Sequence, residues 1–236
     1  MTGSQMKVDA EALSAHLRDV QARIARACAR AGRSPEEVTL LPITKTVGAE
    51  TVRALRELGI REIGENRVLD AVEKAASCPS DLTWHMVGHL QTNKARKALG
   101  LFGVVHSVDS LRLAQALDAE AARIGKKIDI YLEANVSGEG SKGGLRPEEV
   151  PGLARQAVGF PCLRLRGLMT MAPISDDPER VRPVFRALRE LRDRLAADGL
   201  DARGLSMGMT QDFEVAIEEG ATLVRIGTAL FQGVES

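Results

Sequence analysis

Strand-like and helix-like segments alternate along the whole chain. Short apolar runs that read as strands fall at 38–45, 62–65, 83–88, 103–108, 128–136, 163–171, 202–209 and 223–227, with helical patterns between them. Regular β-α alternation predicts a parallel sheet, because parallel neighbours need a crossover that a helix supplies. Eight such units in 236 residues, with no domain-sized insertion, predict closure into a single-domain (β/α)8 TIM barrel spanning residues 1–236. The alternative is an open doubly wound sheet. No glycine-rich dinucleotide fingerprint follows the first strand, which counts against it.

The helical periods are explicit. Leu13, Leu17, Val20, Ile24 and Ala27 form one apolar face, and Ala31-Gly32 is a stop signal. A second helix is expected over 50–58, stopped at Gly59, and a third carries Val181, Val184, Phe185, Leu188, Leu191 and Leu195. Pro42 inside the first strand removes a ladder donor and predicts a bulge or a late strand start. Four glycines within 137–144 make that segment the expected flexible stretch.

Lys plus Arg balances Asp plus Glu at 32 each, so the composition predicts neither nucleic acid nor an anionic membrane as a partner. Any phosphate site must then be local. Cys28, Cys78 and Cys162 form no CxxC pair, and the four histidines form no HxH or HExxH pattern, so no metal site and no disulfide framework are expected. With a polar start and no long apolar run, a cytoplasmic protein is expected. No interface-like apolar excess is visible, which favours a monomer.

Barrel chemistry collects at the C-terminal strand ends. The residues expected there are Lys45, Glu65, Asn66, His85, His89, Asn135, Met169, Met171, Ser206, Gly208, Arg225, Gly227 and Thr228. Position fits Lys45 either as a lysine whose stem packs while its ammonium reaches water, or as a desolvated amine able to attack a carbonyl. Arg225, inside the apolar run LVRIG, needs a partner: a neighbouring carboxylate such as Glu65, or a ligand atom. Gly227-Thr228 opens a short helix, and Ser206 to Gly208 ends strand seven, where barrels commonly hold phosphate. His85 and His89 read as loop-positioning residues around the end of strand three.

Together the segments ITKT (from Ile43), IGEN (from Ile63), WHMVGHLQTNK (from Trp84), HSVDS (from His106), NVSGEGSKGG (from Asn135), GLMTMAP (from Gly167), LSMGMTQDFEVAI (from Leu205) and VRIGTALF (from Val224) cover nearly the whole chain. The sequence resembles the pyridoxal phosphate homeostasis protein family, whose fold is similar to the N-terminal barrel of alanine racemase. The resemblance implies that Lys45 is the Schiff-base lysine and that Arg225 faces the pyridine nitrogen. It implies that Ser206, Gly227 and Thr228 hold the phosphate, that Asn66 and Met171 lie near the ring, and that Lys142 stands where related racemases carry an arginine. Two departures are Val47-Gly48, where the family often has Lys-Pro, and Phe231-Gln232-Gly233, where Phe-Gly is usual.

Two-base racemisation needs an acid/base group on each face of the substrate carbon. The related racemases use the lysine and a tyrosine from a second domain. No second domain is expected after strand eight, and the sole tyrosine, Tyr131, falls early in strand five. The expectation is therefore a protein that holds pyridoxal 5'-phosphate (PLP) as a lysine aldimine without substantial catalysis, acting in vitamin B6 and amino-acid homeostasis, with PLP-dependent apo-enzymes as possible acceptors. The competing expectation is a PLP-dependent amino-acid racemase.

Overall fold

In a computed structural model, which describes residues 8–139 and 143–235, the eight segments are β1 Thr39–Pro42, β2 Glu62–Glu65, β3 Thr83–Met86, β4 Val104–Val108, β5 Ile128–Glu133, β6 Leu163–Met169, β7 Gly204–Ser206 and β8 Leu223–Ile226. All pair in parallel, in the order β1-β8-β7-β6-β5-β4-β3-β2. The ring closes through one bridge, Ile43 to Gly64. The helices are α1 Ala10–Arg30, α2 Ala49–Glu57, α3 Val68–Ala75, α4 Ala95–Leu99, α5 Leu111–Arg123, α6 Val150–Ala157, α7 Arg182–Ala197, α8 Phe213–Glu218 and α9 Thr228–Phe231. The expected (β/α)8 barrel is thus the observed one. No helix among the described residues is long and apolar enough to cross a membrane.

Pro42 explains why the closing seam is thin. Thr39 and Ile43 donate their N–H groups to Thr222 and Ile226 on the β8 side, whereas Thr44 donates to Gly64 of β2. By that alternation the Pro42 nitrogen faces β2, where it has no hydrogen to give. The ladder therefore survives only above it. Neither the expected bulge nor a late strand start is needed: the strand begins at Thr39 and the proline sits at a nearly open edge.

Several strands are shorter than expected. β1 ends at Pro42 rather than at residue 45, β5 at Glu133 rather than 136, and β7 spans three residues instead of eight. Just beyond these ends Ile43 and Ala134 each make one isolated bridge, and residues 207–209 run on outside the ladder. The last crossover helix, α9, has only four residues. Its place in the outer layer is taken by α1, which packs against α8 and α9. Leu13, Leu17, Val20, Ile24 and Ala27 are all buried on that face. Arg23 of α1 pairs with Glu214 at 2.9 Å and lies 4.6 Å over the Phe213 ring, fastening the helix to α8. Asp9 caps the start of α1 through Ala12 N–H at 2.9 Å, and Gly32, at φ +67°, ends it in a conformation glycine adopts without strain.

The two sides of the strands differ in chemistry. Outward residues such as Ile63, Trp84, Ile130, Leu168 and Val224 join one continuous apolar core with the helices. The inward side carries Gly64, His85, His106, Tyr131, Gly204, Ser206 and Arg225, with a small apolar cluster of Val104, Tyr131 and Met169. Tyr131 crosses directly over Gly204, where a Cβ would lie 2.8 Å from its ring. Glycine is what admits the ring. The barrel interior is therefore polar at its centre.

Candidate functional site

Lys45 lies in a turn just past β1 and is exposed, with no hydrogen-bond or ion-pair partner among the described residues. The desolvated reading of this amine does not hold: its nitrogen stands at an open mouth. What precedes it is fixed. Thr44 is fully buried, donates N–H to Gly64 O at 3.0 Å and Oγ1–H to Glu65 Oε1 at 2.7 Å, and accepts at its carbonyl from Lys74 Nζ at 2.5 Å. Lys45 is thus an exposed side chain directly after a residue whose backbone is held on both sides.

Arg225 is 5% exposed and is anchored in the barrel interior. Nη1 donates to the Ser206 carbonyl at 2.8 Å and to its hydroxyl at 2.7 Å, and Nη2 donates to the Thr170 carbonyl at 2.8 Å. Glu65 is not its partner. Even-numbered positions of β2 face inward, so Glu65 points to the helix layer and pairs with Lys74 at 2.6 Å. Burial pushes the Arg225 guanidinium down to about 10, against the opposing pull of Asp212 and Glu133. It remains a cation at neutral pH.

Gly208, buried at φ +92°, accepts Arg225 N–H at its carbonyl at 3.0 Å, and a Cβ there would lie 2.6 Å from the Ala216 side chain. The tight turn after β7 thus requires glycine. Gly227 is the residue before α9, and Thr228, the first residue of that helix, is exposed. Met171 is 44% exposed at the end of β6, and Asn66 is half-buried after β2. Asn66 is packed by the next loop: a Cβ on Gly88 would lie 2.8 Å from its Cα. Lys142 and part of the glycine-rich segment lie outside the described residues. Gly138 and Gly144 flank them at φ +72° and +105°.

Two of the expected residues have surroundings that the sequence did not show. Ser206 is fully buried, and its hydroxyl lies 2.9 Å from His106 Nδ1 as well as next to Arg225. His85 is not a loop residue: it points inward from β3, with Nδ1 2.9 Å from His106 Nε2. Burial lowers His85 to about 4. It also holds His106 well below the ordinary imidazole value, helped by His85 and Arg225, so both rings are neutral at pH 7.

Sequence reasoning missed three residues. His106 shares the inward side of β4 with Val104, two residues before it in VVHSV, and a register shift between Val105 and Val108 breaks that alternation. Thr210 lies beyond β7 but places Oγ1 3.4 Å from Ala229 N–H, at the first turn of α9. Glu133, inward on β5 at the mouth, has its carboxyl raised chiefly by burial.

A lysine after the first strand, an arginine inside the last, and a glycine-threonine start to the final helix define a barrel of the alanine racemase N-terminal class. The family model described as alanine racemase, N-terminal domain, matches residues 9–234. The chain is 44% identical over 211 residues to the pyridoxal phosphate homeostasis protein of Aquifex aeolicus, covering 89% of this chain and 92% of that one. It is 43% identical over 220 residues to the Pseudomonas aeruginosa protein of the same name, covering 93% and 94%. This chain belongs to the pyridoxal phosphate homeostasis protein family. Among solved structures, PipY of Synechococcus elongatus with PLP bound is 36% identical with a TM-score of 0.77, covering 88% of this chain and 99% of that one. Alanine racemase of Clostridium difficile shares the fold at 14% identity and TM-score 0.78, over 98% of this chain and 59% of that one.

Proposed function

We propose that this protein binds pyridoxal 5'-phosphate at the C-terminal mouth of the barrel and serves PLP and amino-acid homeostasis without substantial catalysis. The carrying observation is Lys45: an exposed amine without a partner among the described residues, on a fixed backbone, at the same end of the barrel as Arg225 and the start of α9. The residues present fit the group. PLP brings an aldehyde that a primary amine captures, a phosphate, and a ring nitrogen. Lys45 supplies the amine. Gly227, Thr228 and Thr210 cluster at the first turn of α9, where backbone N–H groups favour a phosphate. Arg225 would face the ring nitrogen and keep it unprotonated, and Asn66 and Met171 would flank the ring. The Ser206 hydroxyl is engaged by Arg225 and His106, so we assign the phosphate's hydroxyl contact to Thr210 and give Ser206 the support of Arg225.

The non-catalytic reading is supported by the position of the sole tyrosine. Tyr131 stacks on His106 inside the barrel, with ring centroids 4.5 Å apart, and lines the N-terminal end rather than the mouth. It is not placed as a second acid/base group opposite Lys45. The names of the relatives support the same role. Release to PLP-dependent apo-enzymes by a monomer in the cytoplasm completes the reading.

Borohydride reduction of the protein incubated with PLP, followed by peptide mapping, tests it. A pyridoxyl adduct on Lys45 is expected. An adduct only elsewhere, for example on Lys142, overturns the assignment. Exchange of amino-acid α-protons into deuterated solvent would instead favour a racemase.

A further inference from the structure

A file of polar groups runs down the barrel axis, from the proposed site to the opposite end. Arg225 Nη1 donates to Ser206 Oγ at 2.7 Å, Ser206 Oγ is 2.9 Å from His106 Nδ1, and His106 Nε2 is 2.9 Å from His85 Nδ1. The last atom, His85 Nε2, is buried and has no hydrogen-bond partner among the described residues. It stands 3.6 Å from Glu62 Oε2, beyond direct hydrogen-bond range. Glu62 and His85 both line an open cavity of about 1050 Å³ at the N-terminal end of the barrel. One water, or a small rotation of the glutamate, would join them.

Proton counting restricts the file. Both histidines are neutral, so each carries one N–H. If His106 carries it on Nε2, it donates to His85 Nδ1. His85 must then carry its hydrogen on Nε2, aimed at Glu62, and bare His106 Nδ1 accepts the Ser206 hydroxyl hydrogen. If His85 carries its hydrogen on Nδ1, every bond reverses. His106 then donates from Nδ1 to Ser206 Oγ, and His85 Nε2 is a bare acceptor facing Glu62. Mixed arrangements put two hydrogens or two lone pairs face to face at 2.9 Å. The file therefore has two directions.

We propose that His85 and His106 are positioning residues that relay the protonation state of Glu62 to the Ser206 hydroxyl, and through it to the hold on Arg225. An ionised Glu62 accepts from His85 and selects the first direction. There Ser206 gives its hydrogen to His106, which enriches the oxygen that Arg225 grips. A protonated Glu62 donates toward His85 and selects the second. Ser206 Oγ must then serve two donors, Arg225 and His106, and its own hydrogen turns elsewhere. No net charge enters the barrel in either case: His85 passes its Nε2 hydrogen to Glu62, each proton behind it moves one bond along the file, and the proton taken up from water replaces the one that Ser206 Oγ gives to His106. The groups facing Glu62 are His85 from β3, Tyr131 and Asp129 from β5, and Arg166 from β6. Burial raises the Glu62 carboxyl, and Arg166 opposes it, so the switch lies above the usual carboxylate range. The effect on cofactor rests on the functional reading above; the relay itself does not.

Nitrogen-15 histidine NMR on the cofactor-free full-length protein reads the tautomers directly. At neutral pH both His85 and His106 are expected as Nε2–H. On acidification both cross together to Nδ1–H as Glu62 takes up a proton. In Glu62→Gln neither ratio changes with pH. Glu62 is partly exposed, so this variant keeps the fold; a thermal melt checks it. Separate crossing of the two rings, protonation to imidazolium without a tautomer change, or the same crossing in Glu62→Gln overturns the relay. In a second arm, the PLP dissociation constant is measured against pH. A several-fold rise on acidification in the wild type, absent from Glu62→Gln, supports the link to Arg225; identical profiles overturn that link. A joint tautomer crossing in a protein that gives no Lys45 adduct would overturn the cofactor reading and leave the relay standing.

Discussion

Lys74 Nζ stands 2.6 Å from Glu65 Oε1 in the layer between barrel and helices, and it donates at 2.5 Å to the carbonyl of Thr44, the residue before Lys45. Glu65 is fully buried, and its second oxygen has no hydrogen-bond partner among the described residues. Removing the cation would leave a buried carboxylate uncompensated, a change that costs about 3–5 kcal/mol. Lys74→Met is expected to lower stability by that order in urea denaturation, and to weaken cofactor retention by freeing the turn that carries Lys45. The double change Lys74→Met, Glu65→Gln is expected to recover part of the loss. Equal stability of the single variant and the wild type would show that the pair bears no weight.

Gly88 lets the loop after β3 lie on the backbone of Asn66. A Cβ there would collide with the Asn66 carbonyl oxygen and lie 2.9 Å from its carbonyl carbon. Backbone cannot yield as a side-chain tip does, so Gly88→Ala must part the two loops. The expected cost is about 1–3 kcal/mol in a thermal or urea melt. PLP affinity should fall with it, because Asn66 moves. Unchanged affinity in a destabilised Gly88→Ala protein would remove Asn66 from the site.

The architecture was legible because β-α alternation is periodic, and each apolar run on β2 to β8 marked a strand that buries one face against helices. The strand ends were less so. Nothing local in the run 202–209 distinguishes the three ladder residues from the turn that follows, because Met207 and Gly208 are as buried as the strand. Partner choice was not legible at all. In sequence Glu65 was one of two kinds of partner open to Arg225, the other being a ligand atom, but strand parity sends Glu65 outward and Arg225 inward, a relation set by register across the closed sheet. His85 was misread for the same reason: at the end of a strand, only the pleat decides between a loop residue and an inward one.

At the departure Val47-Gly48, the chain compensates from its far end. Gly48, the N-cap of α2, has no side chain to offer, and Glu235 Oε1 accepts from its N–H at 2.8 Å and from the Thr51 hydroxyl at 2.5 Å. A carboxylate at a helix N-terminus also meets the favourable end of the helix dipole. Glu235→Ala is expected to destabilise by about 1 kcal/mol, the usual cost of a lost cap. Comparison of melting temperatures measures it. Thr51→Val should cost a similar amount, and the two losses should not add, since both remove the same tie.

The buried histidines make stability depend on pH in a definite direction. His85 is held at about 4 in the folded protein by burial, against an ordinary value of 6.5. Between those values the unfolded chain binds a proton that the folded chain refuses. Stability therefore rises with pH through this window and is lost as pH falls from about 6.5 toward 4. The contribution of His85 alone between pH 7 and pH 5 is about 2 kcal/mol by linkage, and His106, lowered in the same direction, adds to it. Urea denaturation at the two pH values measures the total. In His85→Gln the difference should shrink by about 2 kcal/mol, while stability at pH 7 changes less than at pH 5. A variant with the wild-type pH dependence would mean that His85 is protonated in the fold, which a Glu62 carboxylate drawn into direct contact would permit.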